Sequence, residues 1–517
     1  MPKHLNSVLA AVINIGSNAV YLKIAEVKAG LLNILEYLEY PIYLGRDTFT
    51  KGKIDFEKVD KLCDALRGYK EMTESYRVQV LRVVATTAVR DAYNRDYILN
   101  QIKVKTGLGV EVLDDSDEKD YIYKEIIKQI DEYPNINEKK DDSLISYIGT
   151  GSLGIAVYSK GHIVFNHNIR IGSLKLSELL SSVQDKTDRF YVVVEEYLSN
   201  FTYMITKYLS GNKLTYFIGS GREIEMIASL CQAKKDGRVL IIPKESFDKV
   251  YDYIKDKTPK QLMKIYSLSE DKAEILLPSM GIYRALLNCT DSDAIYAPIA
   301  LFMDSILNEM LFPEEKQRLD KKFYESTIFC AKRIGERYFY DSGHAHRVEK
   351  IAMTIFDKMK KVHGLGEKEK ILLQVSSLLH DIGKYISIKK HYIHSYNIIM
   401  ASDILGLNSD DLTIIANIAR YHSGLLPNAE DRNFKSLSFN DRVLVAKLLS
   451  ILRLADSIDR SHSNKFNDVQ VKFQENLLDI VAYTSSDTVL EEMTFKRKSE
   501  FFEEVYGIKA SFRKKVQ

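Results

Sequence analysis

Residues 377–384 read SLLHDIGK: an apolar run ends in an adjacent imidazole and carboxylate, His380 and Asp381, and Lys384 follows one helical turn beyond His380. Such a pair at a helix end either caps the helix and holds water or shares a metal ion. The neighbourhood bears on that choice. Eight of the chain's 11 histidines (His344, His346, His363, His380, His391, His394, His422 and His462) fall in the last third, and the first 300 residues hold only His4, His162 and His167. DSGHAHRV (341–348) opens a helix with His344 and His346, HYIHSYNII carries His391 and His394, YHSG carries His422, and LRLADSID sets Asp456 in an apolar stretch. Imidazole nitrogens and carboxylate oxygens suit Mn, Fe, Co, Ni or Zn, or Mg with more waters. Two ions side by side would clamp a phosphate and acidify a bridging water, and Lys384 would stabilise the charge that develops. The bland alternative makes each histidine a hydrogen-bonded core residue and lets Asp456 cap a helix or pair with Arg453 or Arg460.

A second set of candidates is backbone. Three stretches place small residues between a strand and the next element: NIGSN at 14–18, IGTGSLG at 148–154 and IGSGRE at 218–223. Glycine permits tight turns, and consecutive exposed N–H groups form an anion nest. Three such turns in equivalent contexts point to a phosphate cradle, to which Arg90 and Arg46 could add guanidinium forks. The competing reading is three ordinary turns and two surface salt bridges.

The elements that must position these residues fall into two textures. SVLAAVINIG and AVYLKIAEV form a strand–turn–strand opening, residues 55–74 a helix, 78–89 a buried strand passing into a loop, 110–113 a short strand and 117–130 a helix capped from Asp115, Ser116 or Asp117. After a polar connection at 131–142 the pattern returns at 143–172, with a helical region at 184–209 and strand–loop–helix at 214–230. From about 312 helical patterns take over, 315–338, 344–361, 367–380, 391–404, 409–421 and 441–459. The tail from about 466 reads as a small α/β appendix. The expected fold is therefore α/β: two related units at 1–130 and 131–308, an all-α domain at 309–465 and a C-terminal α/β region at 466–517.

These stretches resemble the exopolyphosphatase and guanosine pentaphosphate phosphohydrolase family. The resemblance is carried by NIGSNAVYL, VVATTAVRDAYN, VEVLDDSDEKD, YIGTGSLG, RIGSLKL, IGSGRE, LPSMGIYRALL, RYHSG and LRLADSIDRS, and spans nearly the whole chain. It implies two actin-like ATPase domains (ribonuclease H-like), a helical HD-type domain and a homodimer. For the cleft between the actin-like domains it implies phosphate contacts from Ser17, Asn18, Arg90, Gly149, Gly151, Ser152, Gly219 and Gly221, with Asp117 or Glu118 standing in for a catalytic glutamate. The chain departs from the family where metal would bind: the aspartate positions hold Asn14 and Tyr147, a glutamate position holds Gly154, and the last glycine loop ends in Arg222 and Glu223. Phosphoanhydride hydrolysis needs a cation and a water-orienting carboxylate, so magnesium is poorly provided for there and slow turnover at most is expected. Two other readings stand beside this one: a pure scaffold, or compensation by other acidic residues.

The helical third resembles the HD metal-phosphohydrolase superfamily, whose H…HD…D signature maps onto His344, His380–Asp381 and Asp456. His394 and His422 match the extra ligands of two-metal members, and His391 could exchange roles with His394. The expected function is hydrolysis of polyphosphate, a guanosine polyphosphate or another nucleotide at a divalent-metal site, with Lys384, Asp381 and Glu118 as catalytic candidates. The alternatives are a catalytically inactive polyanion or nucleotide sensor, and a conventional exopolyphosphatase that uses the amino-terminal cleft.

Composition narrows the remainder. A net charge of +2 gives no global field for nucleic acid, and four scattered cysteines form no CxxC pair. No uncharged apolar run reaches the 18 residues of a membrane span, and the N-terminal apolar stretch is too short for a signal peptide. A cytoplasmic protein is expected.

Overall fold

The computed structural model describes residues 8–133, 142–184, 187, 189–208, 213–299, 301–428, 430–466, 468–474 and 476–516. Most of the connection expected at 131–142 lies outside the described residues. The chain divides into two compact units, residues 1–323 and 324–517.

The amino-terminal unit holds two sheets built on one plan. Strands β1 (Leu9–Ile15), β2 (Ala19–Lys28) and β3 (Leu31–Pro41) form an antiparallel meander, and β4 (Val80–Ala85) and β5 (Glu111–Val112) add parallel to β1, in the order β3-β2-β1-β4-β5. The second sheet repeats this: β6 (Asp142–Ile148), β7 (Leu153–Ser159) and β8 (His162–Ile169) meander, β9 (Leu214–Gly221) runs parallel to β6, and β12 (Ala294–Pro298) parallel to β9. β10 (Lys234–Asp236) and β11 (Val239–Pro243) extend the far edge to seven strands. The near-continuous burial of Ala10–Ile13 and Leu144–Ile148 fits central strands covered on both faces. The two hairpins turn identically. Gly16 N–H donates to the Ala19 carbonyl at 3.0 Å, and Gly149 N–H to the Ser152 carbonyl at 2.9 Å. Gly221, ending β9, has φ +152° and no room for a Cβ, which would stand 2.5 Å from the Ile148 carbonyl oxygen.

The helix expected at 117–130 runs Asp115–Asp131, with Asp114 rather than a later residue at its N-cap. The strand expected at 78–89 ends at Ala85, and Thr87–Arg90 turns into a short helix.

The carboxy-terminal unit packs helices Ser342–Lys358, Glu367–Leu379, His391–Met400, Ser409–Tyr421 and Phe439–Ile458 around a core that includes Val348, Leu372, Leu379, Ile415 and Leu452. β13 (Asp468–Gln474), β14 (Leu477–Tyr483) and β15 (Lys509–Lys515) form a small sheet, with helix Val489–Tyr506 as the crossover between parallel β14 and β15. The tail from 466 is therefore part of this compact unit, not an appendix to it. Among the described residues no helix is long and apolar enough to cross a membrane.

Candidate functional site

Four imidazoles and two carboxylates converge inside the carboxy-terminal unit, each delivered by the end of an element. Asp341 caps helix Ser342–Lys358 by accepting from the His344 backbone N–H at 3.0 Å, a contact worth about 1 kcal/mol, and so sets His344 in the first turn. His380 is the C-cap of Glu367–Leu379, and Asp381 opens the 3₁₀ turn Ile382–Tyr385. Gly383 lets that turn lie on helix His391–Met400: a Cβ there would stand 2.1 Å from the His391 carbonyl oxygen. His422 is the C-cap of Ser409–Tyr421, and Asp456 lies in the last turn of Phe439–Ile458.

The orientation of the rings is the telling feature. Each places Nδ1 on an outward acceptor: His344 on Asp459 Oδ2 at 2.7 Å, His380 on the Ser377 carbonyl at 2.8 Å, His391 on the Ile388 carbonyl at 3.2 Å and His422 on the Ala419 carbonyl at 2.6 Å. With Nδ1–H donating outward, the Nε2 atoms of all four rings face the centre, where each can ligate once it carries no proton. His344 Nε2 is 3.3 Å from His380 Nε2 and 3.3 Å from Asp456 Oδ1. On the other side His391 Nε2 and His422 Nε2 are 3.3 Å apart and lie 3.1 and 3.4 Å from Asp381 Oδ1. Asp381 Oδ2 faces back to His380 Nε2 at 3.5 Å. Nε2 atoms and carboxylate oxygens gathered in this way suit a cation, which would displace the proton His344 otherwise shares with Asp456, and rings braced through Nδ1 are the usual form of a histidine ligand set. His344, His380, Asp381 and Asp456 could hold one divalent ion and Asp381, His391 and His422 a second, with Asp381 common to both. Among the described residues, every group of three or more potential metal ligands within 4.8 Å of one another lies in this cluster or its rim at His462.

Burial drives the His380 imidazolium pKa down to about 3, so the ring is neutral. Burial would lower His344 as well, but Asp456 and Asp459 hold it up to about 9. Burial would raise Asp381 and Asp456, yet the imidazoles facing Asp381 and the Lys498 ammonium beside Asp456 keep both carboxyls well below their ordinary value. Lys384 Nζ reaches Asp381 Oδ2 at 2.5 Å.

The ring at the second position is His391, not His394. His394 is half-buried on the same helix, with its backbone against Gly383. Asp459 and Arg347, which brace His344 from behind, carry no motif of their own (Arg347 Nη2 lies 2.9 Å from Asp459 Oδ2). Their one sequence signal is the three-residue spacing of Asp456 and Asp459 along a helix.

The amino-terminal unit contains a cleft of about 1000 Å³, lined among others by Asn14, Ser17, Asn18, Glu118, Tyr147 and Glu223, with Gly149 and Gly221 in its walls. Gly151, Ser152, Gly219 and Arg90 are not in those walls, contrary to expectation. Gly151 is packed on Thr87 and Phe49, and Gly219 on Ile295 and Tyr283. Ser152 Oγ donates to Asp115 Oδ1 at 2.7 Å. Arg90 is spent internally, donating to the Leu113 carbonyl and to Thr87 Oγ1, each at 3.1 Å, and to Asp115 Oδ1 at 3.4 Å. Lys119, 1% exposed, pairs with Asp115 as well. Burial raises the Glu118 carboxyl against the pull of Arg90, and lifts Glu223 to about 7. Asp117 is the N3 residue of the capping box at Asp114.

With this geometry established, comparison with known proteins places the chain. The structure is similar to that of an exopolyphosphatase from Cytophaga hutchinsonii ATCC 33406, with a TM-score of 0.51 and 20% identity over 59% of this chain and 97% of that one. The fold is thus mixed α/β of the actin-like class. Residues 23–311 match the Ppx/GppA phosphatase family and residues 328–499 match Ppx/GppA phosphatase, domain III. The chain belongs to the Ppx/GppA phosphatase family, a family of phosphohydrolases, and its carboxy-terminal residues correspond to that family's own third domain. Among its relatives are the guanosine-5'-triphosphate,3'-diphosphate pyrophosphatases of Photobacterium profundum, 20% identical over 88% of this chain and 87% of the relative, and of Pseudoalteromonas translucida, 23% identical over 86% of each.

Proposed function

We propose that this phosphatase works through the histidine–aspartate cluster of its carboxy-terminal unit, an HD-type centre for two divalent ions. Its substrate is a phosphorylated compound of the polyphosphate or guanosine polyphosphate class, as the names of its relatives suggest. The observation that carries the reading is the inward convergence of four braced Nε2 atoms on Asp381 and Asp456. Divalent ions, when bound, would acidify a water and offset phosphate charge. Asp381, facing both ligand groups, fixes their separation. Lys384, already beside Asp381, is placed to meet a phosphoryl oxygen. The helices exclude bulk water from His344, His380 and Asp456.

The amino-terminal cleft has room for a polyanion and keeps Ser17, Gly149 and Gly221 in its walls, which supports ligand binding there with little turnover. A homodimer belongs to the same reading on the strength of the family resemblance.

The test is a phosphohydrolase screen with Mn, Fe, Co, Ni, Zn and Mg on the wild type, on His380→Ala/Asp381→Ala and on Glu118→Ala. The double variant should lose both metal and activity while Glu118→Ala retains them. Activity that survives the double variant and dies with Glu118 assigns turnover to the amino-terminal cleft. Inactivity of all three proteins on every phosphate ester and anhydride leaves a sensor.

A further inference from the structure

Helix Val489–Tyr506 has the composition of a solvated surface helix, EEMTFKRKSEFFEE over 491–504. Yet Lys498, in the middle of that charged run, is 1% exposed, and its ammonium hydrogen-bonds Asp456 Oδ2. The other oxygen of that carboxylate, Oδ1, faces His344 Nε2 at 3.3 Å and His380 Nε2 at 3.7 Å. Taking the cluster as a metal centre, we propose that Lys498 is a positioning residue of that centre. Its ammonium fixes one oxygen of Asp456 and so aims the other at the ion.

The physical case starts from cost. A buried lysine is strongly penalised unless it is paired, and a charge pair with both partners buried carries more than the trivial weight of a surface bridge. A carboxylate turns about one bond to present either oxygen, so a donor held rigidly on Oδ2 removes that freedom. The donor has little freedom of its own, because Lys498 is 1% exposed and its ammonium is committed to Asp456.

A second contact from the same helix face acts on the same segment. Glu491, seven residues before Lys498 and fully buried, accepts from the Ser461 backbone N–H at 3.2 Å and pairs with Lys465 Nζ at 3.0 Å. The helix therefore grips both ends of Asp456–Lys465. Between the grips lie Asp459, which accepts the hydrogen bond from His344 Nδ1, and His462, stacked on the His344 ring at 3.7 Å and held by Asp341 at 2.9 Å. The carboxy-terminal α/β region thus sets one ligand, Asp456, and the bracing of another, His344.

The experiment is calorimetric titration of metal-free, full-length protein with manganese, together with kcat and KM on a phosphate ester, for Lys498→Met, Lys498→Gln and Phe502→Leu. Phe502→Leu loosens the same helix without touching Asp456. Lys498→Met should bind manganese about 10–100-fold more weakly, the usual cost of losing a partner that orients a metal ligand, with kcat lowered and KM little changed. Lys498→Gln keeps a donor on a shorter stem and should show a smaller loss. Phe502→Leu should lower the urea midpoint and leave manganese affinity at the wild-type value. Should Lys498→Met fail to fold, Lys498→Gln decides. The assignment is overturned if a folded Lys498 variant binds manganese as the wild type does, or if Phe502→Leu weakens binding equally. A wild-type protein that binds no manganese, iron or zinc instead removes the metal reading itself, a result distinct from either.

Discussion

The two polar centres of this chain treat their charges in opposite ways. Behind the walls of the amino-terminal cleft, charged groups are paired with one another. Arg90 is engaged with Asp115, Thr87 and the Leu113 carbonyl, Lys119 lies on Asp115, and burial favours the neutral forms of Glu118 and Glu223. In the carboxy-terminal cluster the Nδ1 partners all lie on the outer side of the rings, and the Nε2 atoms converge on Asp381 and Asp456, whose other oxygens are met by Lys384 and Lys498. That contrast is what the proposed function expects, since a site without a cation pairs off its charges and a metal site gathers its ligand atoms on one centre. Gly154 bears on the first of these: a Cβ there would stand 2.6 Å from Tyr123 Oη and 2.8 Å from Lys119 Cδ, so those two side chains leave no room for a larger residue.

The sharpest way to break the contrast is Asp381→Ala. Because Asp381 faces both ligand groups, its loss should empty the centre of both ions and cut phosphatase activity by about 10³-fold or more, the scale of a metal-activated water. His422→Ala touches one group and should leave one ion per chain. Elemental analysis beside steady-state rates reads both results, and two ions retained by the Asp381 variant would sink the proposed division of ligands. Next in size is a pH effect confined to the other centre. Glu223 has its carboxyl raised from 4.5 to about 7 by burial. The stability it contributes is therefore complete below about 4.5 and lost as pH rises through about 7. At about 1.4 kcal/mol per tenfold, Glu223→Gln should gain up to about 3 kcal/mol over the wild type between pH 4 and pH 8, measured as a growing difference in urea midpoints. A constant difference would mean that Glu223 titrates as a free carboxylate.

What could be read from the sequence follows what is local. The repeated glycine-turned meanders were legible because hairpins are specified by adjacent residues, and the HD pair announced itself as polar residues closing an apolar run. The choice between His391 and His394 was not legible. Both lie on one helix three residues apart, and the choice depends on how the 3₁₀ turn at Gly383 seats against that helix, a contact no local pattern encodes. Arg90 and Ser152 looked like phosphate ligands because their types suit phosphate; their internal partners, Asp115 and the Leu113 carbonyl, come from other elements. Lys498 was hidden most completely, since a lysine in a charged helix reads as solvated and only the tertiary fold buries it on Asp456.

The smaller predictions test whether the amino-terminal cleft has room for a further side chain and whether it turns substrate over. Gly154→Ala adds only a methyl group, but the contacts at 2.6 and 2.8 Å fall on a buried tyrosine and a buried, ion-paired lysine. Overpacking of this kind costs about 1–3 kcal/mol, so the urea midpoint should drop while phosphatase activity per folded molecule is unchanged. An undiminished midpoint would show that the pocket has room for a side chain at this position. Glu118→Gln should have the least effect of all. A working general base contributes about 10²–10⁴-fold, so loss of this carboxylate would be unmistakable if the cleft turned substrate over. With Asn14 and Tyr147 beside it in the walls and burial already favouring its neutral form, the amide differs little from the group it replaces. Rates with manganese and with magnesium should then match the wild type within about twofold. A magnesium-dependent rate that vanishes in this variant would make the cleft the active centre and reverse the contrast between the two halves of the chain.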